Sequence, residues 1–162
     1  MQIIDKNELI RLILEKLNIE LQTTALSAKA AHEAATHEES KAEDSHDTRG
    51  LEASYLAGAQ NARIEALKKM IASFQFAEIR SFQTSDPIGL GACVELDLNG
   101  KRLFYFLASQ GGGVTISVHE KIIHVITPEA PLGEALLDKY MGDEVEVESM
   151  KANRVYEIMS VC

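Results

Sequence analysis

The chain has 162 residues, a formal net charge of -9, 46% hydrophobic and 25% charged residues, which suits one medium domain or two small ones and is too apolar for general disorder. No run approaches the roughly 18 apolar residues of a membrane span, and acids interrupt MQIIDKNELIRLILEKLNIE where a signal peptide would be apolar, so no membrane is expected and a cytoplasmic location is. The acidic balance, with no tryptophan and no basic-aromatic stripe, argues against direct or sequence-specific nucleic-acid binding and for a basic protein surface or a divalent ion as partner.

The first helix is expected to open at Asp5, because DKNE carries the spacing of a capping box, with Glu8 three residues after the cap. From there a mostly apolar seam steps by three and four through positions 10, 14, 17, 21, 24, 28, 31, 35, 38 and 42, and a second runs through 53, 57, 60, 64, 67, 71 and 74. Both are large at their outer ends and small toward the middle. Facing positions that add to 95 pair seam with seam, which predicts an antiparallel hairpin over residues 1–75, folded back on Asp47 and Thr48 with its tip near 44–50. Asp47 or Thr48 would cap the second helix and Gly50 would ease the turn. At a rise of about 1.5 Å per residue, the arm would be roughly 35 Å long.

Seven acids stand against Lys41 and Arg49 between Glu33 and Glu52. A charged turn is ordinarily just solvated, but here the charge sits at the end of a slender alanine-rich arm, which favours a working apex. Asp44 and Asp47 lie three apart with Glu43 adjacent, at or beside the expected apex, where their carboxylates could meet a basic surface or a divalent ion. HEAATH does not make a zinc pair, because histidines five apart lie about 140° apart around a helix.

From Phe76 the period changes to two, marking a second domain over 76–162. VELDL and RLFYFLA flank Asn99-Gly100, the dipeptide suited to a two-residue hairpin turn. The segments VTISV, KIIHVIT, DEVEVE and RVYEIMSV read as further strands, and PLGEALLDKYMGD as a helix opened by Pro131 and closed before Gly142. The expected architecture is α+β, a helical hairpin followed by an antiparallel sheet with one short helix. GGG at 111–113 lacks a following lysine and helix, so it reads as an inter-strand turn and not as a phosphate loop. Cys93 and Cys162 have neither CxxC nor metal-ligand spacing and read as reduced thiols.

The segment ITPEAPLGEALLDKYMGDEVEVE, followed by YEI in the closing strand, resembles the end of the C-terminal domain of the bacterial Gre transcript-cleavage factors, the GreA/GreB family. The resemblance implies an N-terminal antiparallel coiled coil, an FKBP-like second domain, and RNA polymerase as the partner, entered through its secondary channel. In such factors tip carboxylates help hold a magnesium ion shared with the polymerase, so that backtracked RNA is cleaved while catalysis stays in the polymerase and the factor itself is no enzyme. In that role the hairpin geometry offers Asp44 and Asp47, at or beside the apex, to assist catalysis and, with Glu43, to hold the metal in the complex; Pro131, Leu132 and Gly133 match the family's docking loop, with Ala130 where the family has serine. The chain departs from the family at the tip. Aligning SYLAGA, with Tyr55, on the corresponding family segment sets Thr48 and Leu51 where the working acids stand. The Asp-x-x-Asp spacing also resembles the tip of DksA-type regulators, which use the same channel without cleaving. Two readings therefore stay beside cleavage: a non-cleaving channel regulator, and a protein-binding, chaperone-like adaptor.

Overall fold

Asp5 begins the first helix in the computed structural model, which describes residues 4–36, 49–148 and 153–162. Its carboxylate accepts the backbone N–H groups of Asn7 at 2.9 Å and Glu8 at 3.4 Å, satisfying donors that a helix start leaves without partners. The helix α1 spans Lys6–Thr36 and α2 spans Arg49–Gln75. Burial follows the expected seams: Leu17, Ala28 and Ala31 of α1 and Ala57, Leu67 and Ile71 of α2 are buried, while Leu14, Leu21, Thr24, Gln60 and Ile64 are half-buried. The chain falls into two compact units, Leu14–Ala72 and the combination of Met1–Ile13 with Ser73–Cys162.

The register of the hairpin differs from the expected one. A constant of 95 would set Glu20 opposite Gln75, but the Glu20 carboxylate accepts from Arg63, with the Nε donor at 3.0 Å. The helices therefore pair several residues earlier than a fold-back on Asp47 and Thr48 requires, and Gly50 lies inside α2 instead of in the turn. The reason is periodicity. A seam that repeats by threes and fours presents apolar faces to each other again after every whole step, so spacing selects the face but not the register. Asp47 and Thr48, expected as caps, lie outside the described residues.

The sheet unit contains β1 (Cys93–Leu98), β2 (Lys101–Leu107), β3 (Thr115–Val118), β4 (Lys121–Ile126), α3 (Pro131–Leu136), β5 (Glu144–Val147) and β6 (Arg154–Val161), with strand order β3-β4-β2-β1-β6-β5. The β1–β2 turn has Asn99 at φ 54° and Gly100 at φ 84°, the left-handed pair that a two-residue hairpin of this twist needs. The Asp97 carboxylate accepts the Gly100 N–H at 2.8 Å and holds the turn. The α+β class is as expected, but one pairing is not antiparallel: Phe104 to Leu107 of β2 run parallel to Ile123 to Ile126 of β4. Residue alternation says which face a side chain takes and not which way a neighbour runs. Here β3 folds onto β4 as an outer hairpin, and that hairpin docks as a pair on β2.

Consecutive residues are buried at Cys93-Val94 and Phe106-Leu107, so the sheet is covered on both faces. One face holds Val94, Leu96, Leu107, Val145, Tyr156 and Ile158, closed by Leu136 of α3. The helix α3 stops at Leu136, short of Gly142, because Leu137 turns extended and Asp138 takes φ 60°. On the other side, Gly111 adopts φ 85° directly against Phe74, where a Cβ would stand 2.8 Å from the ring. The triple-glycine segment is thus a close-fitting turn at its first residue.

One polar group sits poorly in the arm. The side-chain oxygen of Gln60 is buried and has no hydrogen-bond partner among the described residues, which carries the desolvation cost of an unmade bond. Replacing Gln60 with leucine is expected to stabilise the hairpin by about 1 kcal/mol, the low end for relieving such a group. Urea unfolding followed by the helical circular-dichroism signal measures it, and an unchanged or lower midpoint would contradict the assignment.

Candidate functional site

Glu43, Asp44 and Asp47 lie outside the described residues, so the hairpin's acidic stretch is bracketed by what stands on either side of it. Glu33 near the end of α1 and Glu52 in the first turn of α2 are both exposed. Beside Glu52, three large apolar side chains face solvent: Leu51 at 55%, Tyr55 at 71% and Leu56 at 53% exposure. Leu51 and Tyr55 are one helical turn apart and share a face. Sequence reasoning used Tyr55 only as an alignment mark and missed that cluster, although three large residues off the seam at positions 51, 55 and 56 are the signal that finds it. Among the described residues no group of three or more His, Cys, Asp and Glu could hold a metal ion.

In the sheet unit the structure brings Pro131, Leu132 and Gly133 together as the first turn of α3. Pro131 is exposed at the helix start, where its missing N–H costs nothing and its fixed φ suits the helix. Leu132 is half-buried and packs on the apolar face closed by Leu136. Gly133 is buried, and a Cβ there would lie 2.0 Å from the Thr127 carbonyl oxygen. That carbonyl accepts the Ala130 N–H at 3.0 Å, drawing the loop tight under the helix. Of the three, Pro131 is the one whose side chain is chiefly open to solvent. Ala130 is the N-cap, with extended φ and ψ of -75° and 142°, and makes no side-chain capping bond.

A cleft of about 550 Å³ opens elsewhere in the same unit, lined by Phe74, Phe76, Arg80, Leu90, Phe106 and Ser109 among others. Phe76 is 84% exposed at its edge. Nearby, the Lys6 ammonium donates to the Arg80 carbonyl at 2.6 Å and lies 4.6 Å from the Phe82 ring centre. Burial holds the Lys6 pKa below the ordinary lysine value.

Two substitutions test the architecture of the α3 loop. Gly133→Ala is expected to destabilise the isolated protein by about 3 kcal/mol, since a clash with backbone cannot be relieved by a rotamer change. Ala130→Ser is expected to stabilise it by about 1 kcal/mol by supplying the missing cap. Chemical denaturation of both variants tests the pair, and a neutral Gly133→Ala would disprove the close approach.

Residues 83–162 match the family described as transcription elongation factor, GreA/GreB, C-terminal. The transcription inhibitor protein Gfh1 of Thermus thermophilus is 30% identical over 121 residues, 73% of each chain. That of Thermus aquaticus is 29% identical over 121 residues, again 73% of each. Among solved structures, Thermus aquaticus Gfh1 aligns over 96% of this chain and 92% of its own at 26% identity and a TM-score of 0.38. A GreA/GreB elongation factor from Nitrosomonas europaea aligns over 72% of this chain and 94% of its own at 21% identity and a TM-score of 0.37.

Proposed function

Because the chain belongs to the GreA/GreB family of transcription elongation factors, we propose that it binds RNA polymerase through the secondary channel and modulates elongation without being an enzyme itself. In this reading the hairpin enters the channel, the sheet unit stays at its rim with Pro131 in the docking loop, and the acids Glu43, Asp44 and Asp47 reach the polymerase active site. The observation that carries it is a seam-paired helical hairpin whose linking stretch is dense in carboxylates, joined in one chain to a GreA/GreB C-terminal domain. Carboxylate oxygens are the hard donors that magnesium takes, usually one or two beside water and phosphate. The ion, when bound, would stabilise the charge of a phosphoryl displacement. What the chain's own residues contribute is position and negative charge.

Inhibition is the favoured outcome of binding. The 30% identical relatives are named transcription inhibitors, and in the family register Thr48 and Leu51 stand where the cleaving acids would be. The exposed Leu51, Tyr55 and Leu56 support the same outcome, since they offer apolar contact with a channel wall beside the charged stretch. The expected result with purified core polymerase is stable binding, slowed nucleotide addition and no stimulated cleavage of a backtracked complex. Asp44→Ala and Asp47→Ala should each weaken the inhibition at least several-fold, in a free protein that still folds. Stimulated cleavage that these substitutions abolish would make the chain a cleavage factor. Failure to bind polymerase at all would reject the channel and leave the adaptor reading.

A further inference from the structure

Cys93 and Cys162 stand directly across from each other at the end of the β1–β6 ladder. The Cys93 N–H donates to the Cys162 carbonyl at 2.8 Å, and the Cys162 N–H donates to the Cys93 carbonyl at 2.9 Å, extending the Val94 to Val161 register by one residue. Residues that exchange both bonds have Cα atoms about 5.5 Å apart and side chains on one face, inside the range of about 4.4 to 6.8 Å that a disulfide spans. Both are free thiols, Cys93 buried and Cys162 half-exposed. We propose that these two cysteines form a peroxide-oxidisable pair in which Cys162 is the attacking thiol and Cys93 resolves it to an intramolecular disulfide between β1 and the residue following β6.

The surroundings divide the roles. The hydrogen bond from Cys93 pulls the Cys162 thiol below its ordinary range, helped by the Lys6 ammonium, the Ile4 N–H and Lys121. The same bond, together with burial, pushes Cys93 up. Lys6 comes from the start of α1 and Lys121 from the start of β4, so among the described residues the groups acting on Cys162 are two cations, the Ile4 amide and its partner thiol. A thiolate with positive neighbours and partial exposure is the form that oxidants reach. A thiol held neutral beside it is placed to close the bond once the first sulfur has been oxidised.

The oxidant is a hydroperoxide. The Cys162 thiolate gives an electron pair to the terminal peroxide oxygen, the S–O bond forms and the O–O bond breaks. The departing hydroxide or alkoxide takes the proton that thiol ionisation released. The Cys93 sulfur then attacks the sulfenic sulfur of Cys162, the S–S bond forms and the S–O bond breaks. The leaving hydroxide takes the Cys93 proton as water. Two thiols lose two electrons, and one peroxide becomes water plus water or an alcohol.

Full-length protein treated with hydrogen peroxide, then denatured and alkylated, gives the test by intact mass. The expected result is loss of both alkylation sites, a mass lower by two hydrogens, a monomer on a non-reducing gel and full recovery with dithiothreitol. In Cys93→Ser, dimedone should trap a sulfenic acid at Cys162. The wild-type mass and thiol measurements decide the matter even where that variant folds poorly. Two alkylatable thiols surviving peroxide, or a disulfide found only between two chains, would overturn the proposal.

Discussion

The physical constraint under the helical part of this molecule is a seam of small and medium apolar residues spaced by threes and fours. Leu17 and Leu67 are wholly buried, and Ala28, Ala31 and Ala57 continue the stripe with little side-chain volume. Alanine permits close approach of two helices but removes little apolar surface from water, so the cohesion of the arm is concentrated at its leucines and isoleucines. The exposed Glu20–Arg63 pair adds register more than energy, because ion pairs in water contribute little. A hairpin built this way is thin.

The sheet unit obeys a different rule. Its strands carry apolar residues on both faces, so each face needs a cover, and α3 covers one of them. That placement depends on Gly133, whose missing side chain lets the helix start lie on the Thr127 carbonyl. A PLG motif in this family therefore has a divided meaning here: the glycine and leucine serve the architecture of the loop, while the proline is presented to solvent. One exposed residue and two scaffold residues sit side by side in three positions.

Charge and chemistry are similarly divided between the two units. The hairpin carries carboxylates, which suit a divalent ion or a basic protein wall. The sheet unit carries a thiol pair bridged by two backbone hydrogen bonds, with Lys6 and Lys121 beside it. In the hairpin sequence Thr48 and Leu51 are uncharged, and Leu51, Tyr55 and Leu56 face solvent. Oxidation of Cys93 and Cys162 would act far along the chain from those residues, in a different compact unit.

Local pattern was enough to determine the helix start at Asp5, both seams, the Asn99-Gly100 turn, six strands and the α3 start, because caps, turns and periodicity are properties of neighbouring residues. The family, too, was legible from PLGEALL, GDEVEVE and YEI. Tertiary structure alone decided the hairpin register, since a repeating seam matches itself at several offsets. It also decided the parallel pairing of β2 with β4, since alternation carries no direction. The pairing of Cys93 with Cys162 belongs to the same class: they lie sixty-nine positions apart in the sequence, and only the ladder between β1 and β6 sets one sulfur beside the other.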